Sequence, residues 1–256
     1  MSAPLEEYLA FALQVALDAG RVAIEHYQTG VAVELKADAS PVTRADRGAE
    51  QLIRQAIARR YPDHSVVGEE YGADERASAF RWIVDPIDGT KSFIRGVPLF
   101  GVLIALEIDG RADVGVCHMP ALGETVAAAT GLGCTWNGRS ARASHVEHLR
   151  DATVVFSDGP MLARRLGDRW EKLESEAGLL RSWGDCYGHC LVATGRADVM
   201  LDPVMNAWDC AALLPIVREA GGRFSDWTGT ARIDGGDAVS TNQTLHQRVL
   251  ELLAGS

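Results

Sequence analysis

Apolar residues recur every three or four positions across residues 9–27, which predicts one long amphipathic helix. Residues 31–35 place an apolar side chain at every second position, which is the period of a strand. A helical period returns over residues 49–57 and stops before Tyr61-Pro62, because the residue ahead of a proline disfavours helical backbone. The chain is therefore predicted to open with a helix, a strand and a second helix.

The stretch that begins at Ser65 is rich in strands. Its short apolar runs are separated by polar or glycine residues, and Asn137-Gly138 is typical of a hairpin turn. The runs are SVVGEE, RWIVD, LFGVLIALEI, ADVGVCHM and ETVAAAT. Their succession predicts a mostly antiparallel sheet.

Strands and helices alternate again after about Asp151. The predicted strands are ATVVFS, LLRSW, ADVMLD, GRFSD and AVST, and the predicted helices lie near residues 162–177, 185–194, 209–220 and 245–253. Pro215 is expected to kink or break the third of these helices, because proline removes one helical hydrogen bond. We predict one domain over residues 1–256, built from two layered αβ halves at about 1–150 and 151–256.

The composition argues against two kinds of partner. A chain of 256 residues with 47% hydrophobic residues buries a full core, but its apolar runs are shorter than the roughly 18 to 20 residues of a membrane span. A net charge of -10 without a lysine or arginine cluster argues against nucleic-acid binding. We therefore expect no membrane and no nucleic-acid partner, and an anionic ligand would need a metal ion to bind here.

The cysteines and the N-terminus indicate a cytoplasmic location. The five cysteines are odd in number and include no CxxC pair, so they predict neither a disulfide framework nor a zinc site. Two glutamates precede the first apolar run, where a secretory signal would carry lysine or arginine. We expect a protein of the reducing cytoplasm without an export signal.

The most informative motif is the run Asp85-Pro86-Ile87-Asp88-Gly89-Thr90, which follows a short apolar strand. Two carboxylates across a short turn can share a hard cation such as Mg²⁺, which prefers oxygen ligands. Gly89 permits close approach of an anion, and a helix that begins there would direct free N–H groups at a phosphate. In isolation the same residues could form only a polar turn between a strand and a helix.

Two other segments carry carboxylates at similar positions. Glu69 and Glu70 directly follow a short apolar strand, and Asp209 lies at the start of a helix rich in alanine and leucine. Each has a structural alternative: Glu69 as a solvated strand end, and Asp209 as the capping-box partner of Asn206. Four neighbouring carboxylates would repel one another strongly without cations, so together they favour a metal site.

These motifs, in this order and spacing, resemble the inositol monophosphatase family of Mg²⁺-dependent phosphatases. The resemblance spans nearly the whole chain. It covers Lys36, Ser40 to Thr43, Asp46, Gly68-Glu69-Glu70, Asp85 to Thr90, Ala193 to Asp198, and Trp208-Asp209 through Gly221-Gly222. It implies a layered αβαβα sandwich of the inositol monophosphatase and fructose-1,6-bisphosphatase type, a homodimer, and two or three Mg²⁺ ions per active site.

The same resemblance assigns roles to residues. It implies metal binding by Glu69, Asp85, Asp88, Asp209 and the carbonyl of Ile87, with hydrolysis of a small-molecule phosphate monoester by an activated water. Thr90 and Asp46 would orient that water, with Glu69 and Glu70 beside it, and Lys36, Gly89 and Thr90 would lie near the phosphate. Thr43 and Asp46 could also form a helix cap, and both roles are compatible.

The second half of the chain bears on the leaving group. The segments at residues 181–188 and 201–209 resemble members of the family that act on L-histidinol phosphate, an intermediate of histidine biosynthesis. Its amine and imidazole could be bound by Asp185, Asp202 and Asn206. A polyol such as inositol 1-phosphate would require similar groups, and Asp185 or Asp202 could simply cap a helix or turn the chain.

Two alternative functions differ in mechanism. A haloacid-dehalogenase-type phosphatase would form a phospho-aspartate, but its D-x-D motif lies near the N-terminus and needs no GEE element. A non-catalytic metal or phosphate sensor is disfavoured because Glu69, Asp85, Asp88, Thr90 and Asp209 are all present. We assign no catalytic role to His189, because hydrolysis by a metal-activated water needs no imidazole base.

Overall fold

A computed structural model of the chain describes residues 4–36 and 41–254, so Ser40 of the motif above lies outside the described residues. The helices are α1 (Leu5–His26), α2 (Arg44–Arg60), α3 (Thr90–Ile94), α4 (Gly159–Leu166), α5 (Asp168–Glu176), α6 (Asp185–Ala193), α7 (Ala207–Glu219) and α8 (His246–Ala254). The strands of the first part are β1 (Val33–Leu35), β2 (Pro41–Thr43), β3 (Ser65–Gly68), β4 (Gly72–Asp74), β5 (Phe80–Asp88), β6 (Gly101–Ile108), β7 (Arg111–Met119), β8 (Glu124–Ala129), β9 (Gly133–Trp136) and β10 (Arg139–Ala141). Those of the second part are β11 (Thr153–Phe156), β12 (Leu179–Arg181), β13 (Val199–Asp202), β14 (Arg223–Ser225) and β15 (Ala238–Thr241).

The strands of the described ranges form two large sheets and one two-stranded sheet. Eight strands make a sheet in the order β10-β9-β8-β7-β6-β5-β3-β4, in which only the β3–β5 pair is parallel. Five strands make the second sheet in the order β12-β11-β13-β15-β14, and β1 pairs with β2. The prediction of a mostly antiparallel sheet after Ser65 is therefore confirmed.

The helices lie in three layers around the two large sheets. Alternation along β5 places Trp82 and Val84 against α1 and α2, whereas Ile83 faces α7 on the other side of the sheet. The helices α6 and α7 are packed between the two sheets, and α4, α5 and α8 cover the outer face of the five-stranded sheet. The predicted αβαβα arrangement is confirmed, and it places the ends of β3 and β5 beside the first turn of α7.

One local prediction in the second half was wrong. The helix predicted at 162–177 is divided into α4 and α5 by Gly167, whose backbone (φ 56°, ψ -131°) is not helical. Of the kink or break expected at Pro215, the break is not found, because α7 continues through this residue. A proline inside a helix costs one hydrogen bond, and the extensive burial of α7 between the two sheets offsets this cost.

The hairpin turn was predicted correctly. Asn137 and Gly138 both adopt positive φ, and Trp136 pairs with Arg139 across the turn. In the described ranges, 4–36 and 41–254, no helix combines the length and the apolar character that crossing a membrane requires.

Candidate active site

Asp85 and Asp88 lie at the end of β5, where the strand is irregular. Asp85 pairs with Leu103 of β6 and Asp88 pairs with Gly101, so one extra residue is accommodated on β5 between them. Residues three apart on a regular strand point to opposite faces, and a bulge reverses this alternation. The bulge therefore allows both carboxylates to approach the same side of the sheet.

Asp209 joins this pair from the first turn of α7. Carboxylate oxygens of Asp85, Asp88 and Asp209 lie within 4.8 Å of one another. The main-chain N–H of Asn206 donates to Asp209 Oδ2 over 2.7 Å, so the capping contact considered as an alternative is present in the site. The cap holds the carboxylate at the helix start, and the two roles coexist.

Burial and mutual repulsion change the acidity of these carboxylates. Burial, together with the charges of neighbouring acids, raises the pKa of Asp85 and of Asp88 well above the usual range. The same causes raise the pKa of Asp209 to about 6. Without a cation, the cluster therefore tends to hold protons.

Glu69 and Glu70 lie on the turn that follows β3, and Lys36 bridges them. Lys36 Nζ lies 2.6 Å from Glu69 Oε1 and 2.6 Å from Glu70 Oε1. Burial alone would lower the pKa of Lys36, but the two carboxylates raise it. Burial raises the pKa of Glu70 to about 7, although Lys36 opposes this shift. Lys36, predicted to lie near the phosphate, is thus ion-paired with the two glutamates.

Thr90 and Asp46 meet beside the end of β5. Thr90 Oγ1 donates to the carbonyl of Ile87 over 3.0 Å and lies 3.5 Å from Asp46 Oδ1. Asp46 is fully buried, and its other oxygen accepts hydrogen bonds from the main chain and the hydroxyl of Thr43, at 2.8 and 2.6 Å. Burial raises the pKa of Asp46. The helix cap and the contact with Thr90 therefore use different oxygens of one carboxylate.

Gly89 forms the turn between β5 and α3. Its φ of 80° is left-handed, and a Cβ at this position would lie 2.8 Å from the carbonyl oxygen of Leu99 and 3.2 Å from Asp185 Oδ2. A side chain is excluded here by both the backbone conformation and the space. The turn brings the start of α3 close to Asp185 of the second half.

A cleft of about 460 Å³ extends from Asp88 and Asp209 into the second half of the chain. Asp185 and Asp202 both line it. Burial raises the pKa of Asp185, and it raises the pKa of Asp202 to about 8 even though Ser157 Oγ donates to Asp202 over 2.8 Å. Five aspartates line the cleft, and Lys91 is the basic side chain among its lining residues in the part of the chain that the structure describes.

Several residues of this region were not predicted from the sequence. Ser157 at the end of β11 holds Asp202, and the main-chain N–H of Cys186 donates to Asp88 Oδ2 over 2.6 Å. The polar residues that directly follow β11 resemble those after β5, and this signal could have identified Ser157. Asn206, predicted to bind substrate, is exposed and contacts Asp209.

The surroundings of His189 indicate a structural role. It is fully buried, its Nδ1 lies 2.7 Å from Ser240 Oγ, and its ring is 5.7 Å from that of Phe224. Burial lowers the pKa of His189 to about 3. It is therefore a neutral packing residue.

The donor set fits a hard divalent cation. Its atoms are carboxylate oxygens, and such sets suit Mg²⁺ or Ca²⁺ better than metals that prefer nitrogen and sulfur. Three carboxylates this close together also need positive charge if all are to be ionised. Asp85, Asp88 and Asp209 thus form an acidic cluster that can bind a metal.

The chain is similar to known proteins in sequence and in fold. The model of the inositol monophosphatase family matches residues 4–255. A histidinol-phosphatase of Chlorobaculum parvum is 44% identical over 245 residues, covering 94% of this chain and 95% of that protein. One of Mycobacterium tuberculosis is 43% identical over 227 residues, covering 86% and 87%. The crystal structure of the extragenic suppressor protein suhB of Bartonella henselae superposes with a TM-score of 0.89 at 31% identity, covering 95% of this chain and 97% of that one.

Proposed function

The chain belongs to the inositol monophosphatase family and is a phosphatase, and from this premise we propose that it hydrolyses L-histidinol phosphate to L-histidinol and phosphate with Mg²⁺. The observation that carries the proposal is the position of the carboxylate cluster at one end of an acidic cleft. The cluster would hold the cations and the phosphate, and the rest of the cleft would receive a leaving group that carries positive charge.

The metal would be held by Glu69, Asp85, Asp88, Asp209 and the carbonyl of Ile87, with two or three Mg²⁺ ions per site. When bound, Mg²⁺ neutralises phosphate charge, increases the acidity of water and stabilises the leaving oxygen. The protein supplies the arrangement: the bulge in β5 and the cap of α7 hold three carboxylates within 4.8 Å.

Thr90 and Asp46 would orient the attacking water. The Thr90 hydroxyl is fixed by the carbonyl of Ile87 at 3.0 Å, and Asp46 Oδ1 lies 3.5 Å away. Water attacks phosphorus, the ester P–O bond breaks, and the leaving oxygen takes up a proton. Glu69 and Glu70, which Lys36 holds on the turn after β3, would lie beside this water.

The charge of the cleft supports a cationic leaving group. Asp202 is buried and Asp185 is partly buried, and desolvation raises the pKa of both, so each would gain from a nearby positive charge. L-histidinol carries an ammonium group and an imidazole, whereas inositol is neutral. This difference favours L-histidinol phosphate over inositol 1-phosphate, which is the alternative substrate in keeping with the family.

The test is phosphate release by the purified protein with Mg²⁺. L-histidinol phosphate, inositol 1-phosphate and adenosine 3',5'-bisphosphate are compared at equal concentrations, with EDTA as the control. We expect kcat/KM for L-histidinol phosphate to exceed the other values by about tenfold or more, since a cation next to a buried carboxylate contributes at least about 1.4 kcal/mol. EDTA should abolish all three activities.

One variant and two results on the wild-type protein separate the parts of the proposal. Asp202→Asn should reduce the preference for L-histidinol phosphate while hydrolysis of inositol 1-phosphate is little changed. Equal rates on all substrates with the wild-type protein would reject the assignment to histidinol and leave the metal-dependent reaction intact. Activity that persists in EDTA, or labelled phosphate retained on Asp85 or Asp88 after acid quenching, would reject the mechanism.

A further inference from the structure

Glu50 is a fully buried carboxylate in α2, directly beneath the turn that carries Glu69 and Glu70. It lies on the buried stripe of the helix, next to Ala49 and one turn before Ile53. A charged group at such a position costs free energy unless hydrogen bonds and an opposite charge compensate for its lost hydration. The partners of Glu50 therefore indicate what it is used for.

The Glu50 carboxylate is bound to the turn by main-chain hydrogen bonds. The N–H of Glu70 donates to Glu50 Oε2 over 2.7 Å, and the N–H of Tyr71 donates to Oε1 over 3.2 Å. Arg54 Nε donates to the same Oε1 over 2.7 Å, and Arg54 also donates to the carbonyl of Gly72. One carboxylate and one guanidinium thus connect α2 to residues 70–72.

Gly68 makes this approach possible. A Cβ at residue 68 would lie 2.1 Å from Glu50 Oε1 and 2.4 Å from Glu50 Cδ. No side chain fits between the end of β3 and the carboxylate, because real Cβ atoms do not approach that closely. The Glu50 carboxylate therefore occupies space that is free only because residue 68 is glycine.

We propose that Glu50 is a positioning residue that sets the direction in which Glu69 and Glu70 leave β3, and thereby the affinity of the site for Mg²⁺. This inference rests on the proposed function, in which Glu69 binds the metal. Besides these contacts, Glu69 N–H donates to the carbonyl of Val84 over 3.3 Å, a long hydrogen bond that holds only the first residue of the turn. Glu50 holds the next two residues.

The experiment is calorimetric titration of the metal-free protein with Mg²⁺, paired with phosphate release as a function of Mg²⁺ concentration. Glu50→Gln keeps the size of the side chain but turns an N–H₂ group toward N–H donors. We expect the dissociation constant for Mg²⁺ to rise about ten- to a hundredfold, the usual effect of removing a residue that orients a metal ligand. At saturating Mg²⁺, kcat should stay within about threefold of wild type, because the ligands remain.

Glu107→Gln is the matched control. Glu107 is also a buried carboxylate paired with an arginine, Arg81, whose Nε lies 2.6 Å from Glu107 Oε2 at the other end of β5. This variant should lose a similar ion pair and keep wild-type affinity for Mg²⁺. Thermal unfolding in EDTA compares the stability of both variants.

The double variant Glu50→Gln with Arg54→Gln covers the case in which the single variant does not fold. It leaves no unpaired buried charge, and it still removes an acceptor for the turn. A folded single or double variant that binds Mg²⁺ as the wild type does would overturn the inference. Failure of both to fold while Glu107→Gln folds would also overturn it, in favour of a purely structural role. A wild-type protein that neither binds Mg²⁺ nor releases phosphate would instead reject the proposed function.

Discussion

The main-chain nitrogen of Cys186 lies 2.6 Å from Asp88 Oδ2, which connects the first turn of α6 to the carboxylate cluster at the end of β5. The sheet of the first half and a helix of the second half are joined at a proposed metal ligand. The other oxygen of Asp88 remains available to a cation. This contact means that the metal site and the acidic cleft share one side chain.

Asp88→Asn should abolish most activity without unfolding the protein. The amide oxygen can still accept from Cys186, but one anionic ligand is lost, so we expect kcat/KM to fall by at least about a hundredfold. In EDTA the variant should melt at a temperature equal to or above that of wild type, because removing one carboxylate relieves repulsion within the cluster. Asp234→Asn, an exposed control, should behave as wild type. Unchanged turnover in Asp88→Asn would contradict the site assignment.

Much of the site could be predicted from order along the chain. Acidic residues that directly follow apolar strands, such as Glu69 and Asp85, end up at one edge of a sheet when those strands are neighbours, and β3 and β5 pair in parallel. The N-cap signal at Asn206 and Asp209 placed the third element correctly. These features depend on local pattern, which the sequence contains.

The remaining features depend on tertiary contacts. Nothing local indicates that β5 accommodates an extra residue opposite β6 between Asp85 and Asp88. The hydrogen bond from Ser157 to Asp202 joins residues 45 positions apart, at the ends of two neighbouring strands. The sequence does place Glu50 on the same helix face as the apolar residues Ala49 and Ile53, which is unusual for a glutamate. The role of Glu50, however, depends on its hydrogen bond to a turn 20 residues further along the chain.

Thr90→Ala and Thr90→Ser test whether the hydroxyl at the end of β5 orients water. The Ser variant keeps the oxygen that bonds to the carbonyl of Ile87, so it should retain activity within about tenfold of wild type. The Ala variant should lose about a hundredfold or more in kcat. Steady-state phosphate release at saturating substrate and Mg²⁺ provides the comparison. Equal losses in both variants would indicate that packing of the methyl group, and not the hydroxyl, matters.

Gly167→Ala should destabilise the protein, because the backbone that separates α4 from α5 has φ 56° and ψ -131°. A side chain in this region costs about 1 to 3 kcal/mol, or roughly 2 to 10 °C in melting temperature. Gly48→Ala is the opposite control: Gly48 lies inside α2, where a Cβ would contact Val22 Cγ1 at 3.4 Å. That change should be neutral or stabilising by up to about 1 kcal/mol. Similar effects of both changes would exclude the conformational explanation.

The stability of the metal-free protein should fall as the pH rises toward 8, and Asp202 should account for part of this fall. Burial raises the pKa of Asp202 in the folded state to about 8, well above its ordinary value of 3.8. Between these values the folded state binds a proton that the unfolded state has released, so stability decreases with rising pH. The contribution is complete below about pH 4 and is lost as the pH passes through about 8.

Asp202→Asn removes this titration while the amide oxygen can still accept from Ser157. The melting temperature of the variant minus that of wild type, measured in EDTA, should therefore increase from pH 5 to pH 8.5, by roughly 3 to 10 °C. Asp158→Asn is a useful control, since Asp158 lines the same cleft but caps α4 by accepting from the main chain of Met161 over 2.8 Å. If the difference in melting temperature between Asp202→Asn and wild type stays constant with pH, Asp202 ionises with an ordinary pKa. Its interaction with a cationic substrate would then be no stronger than that of a solvated carboxylate.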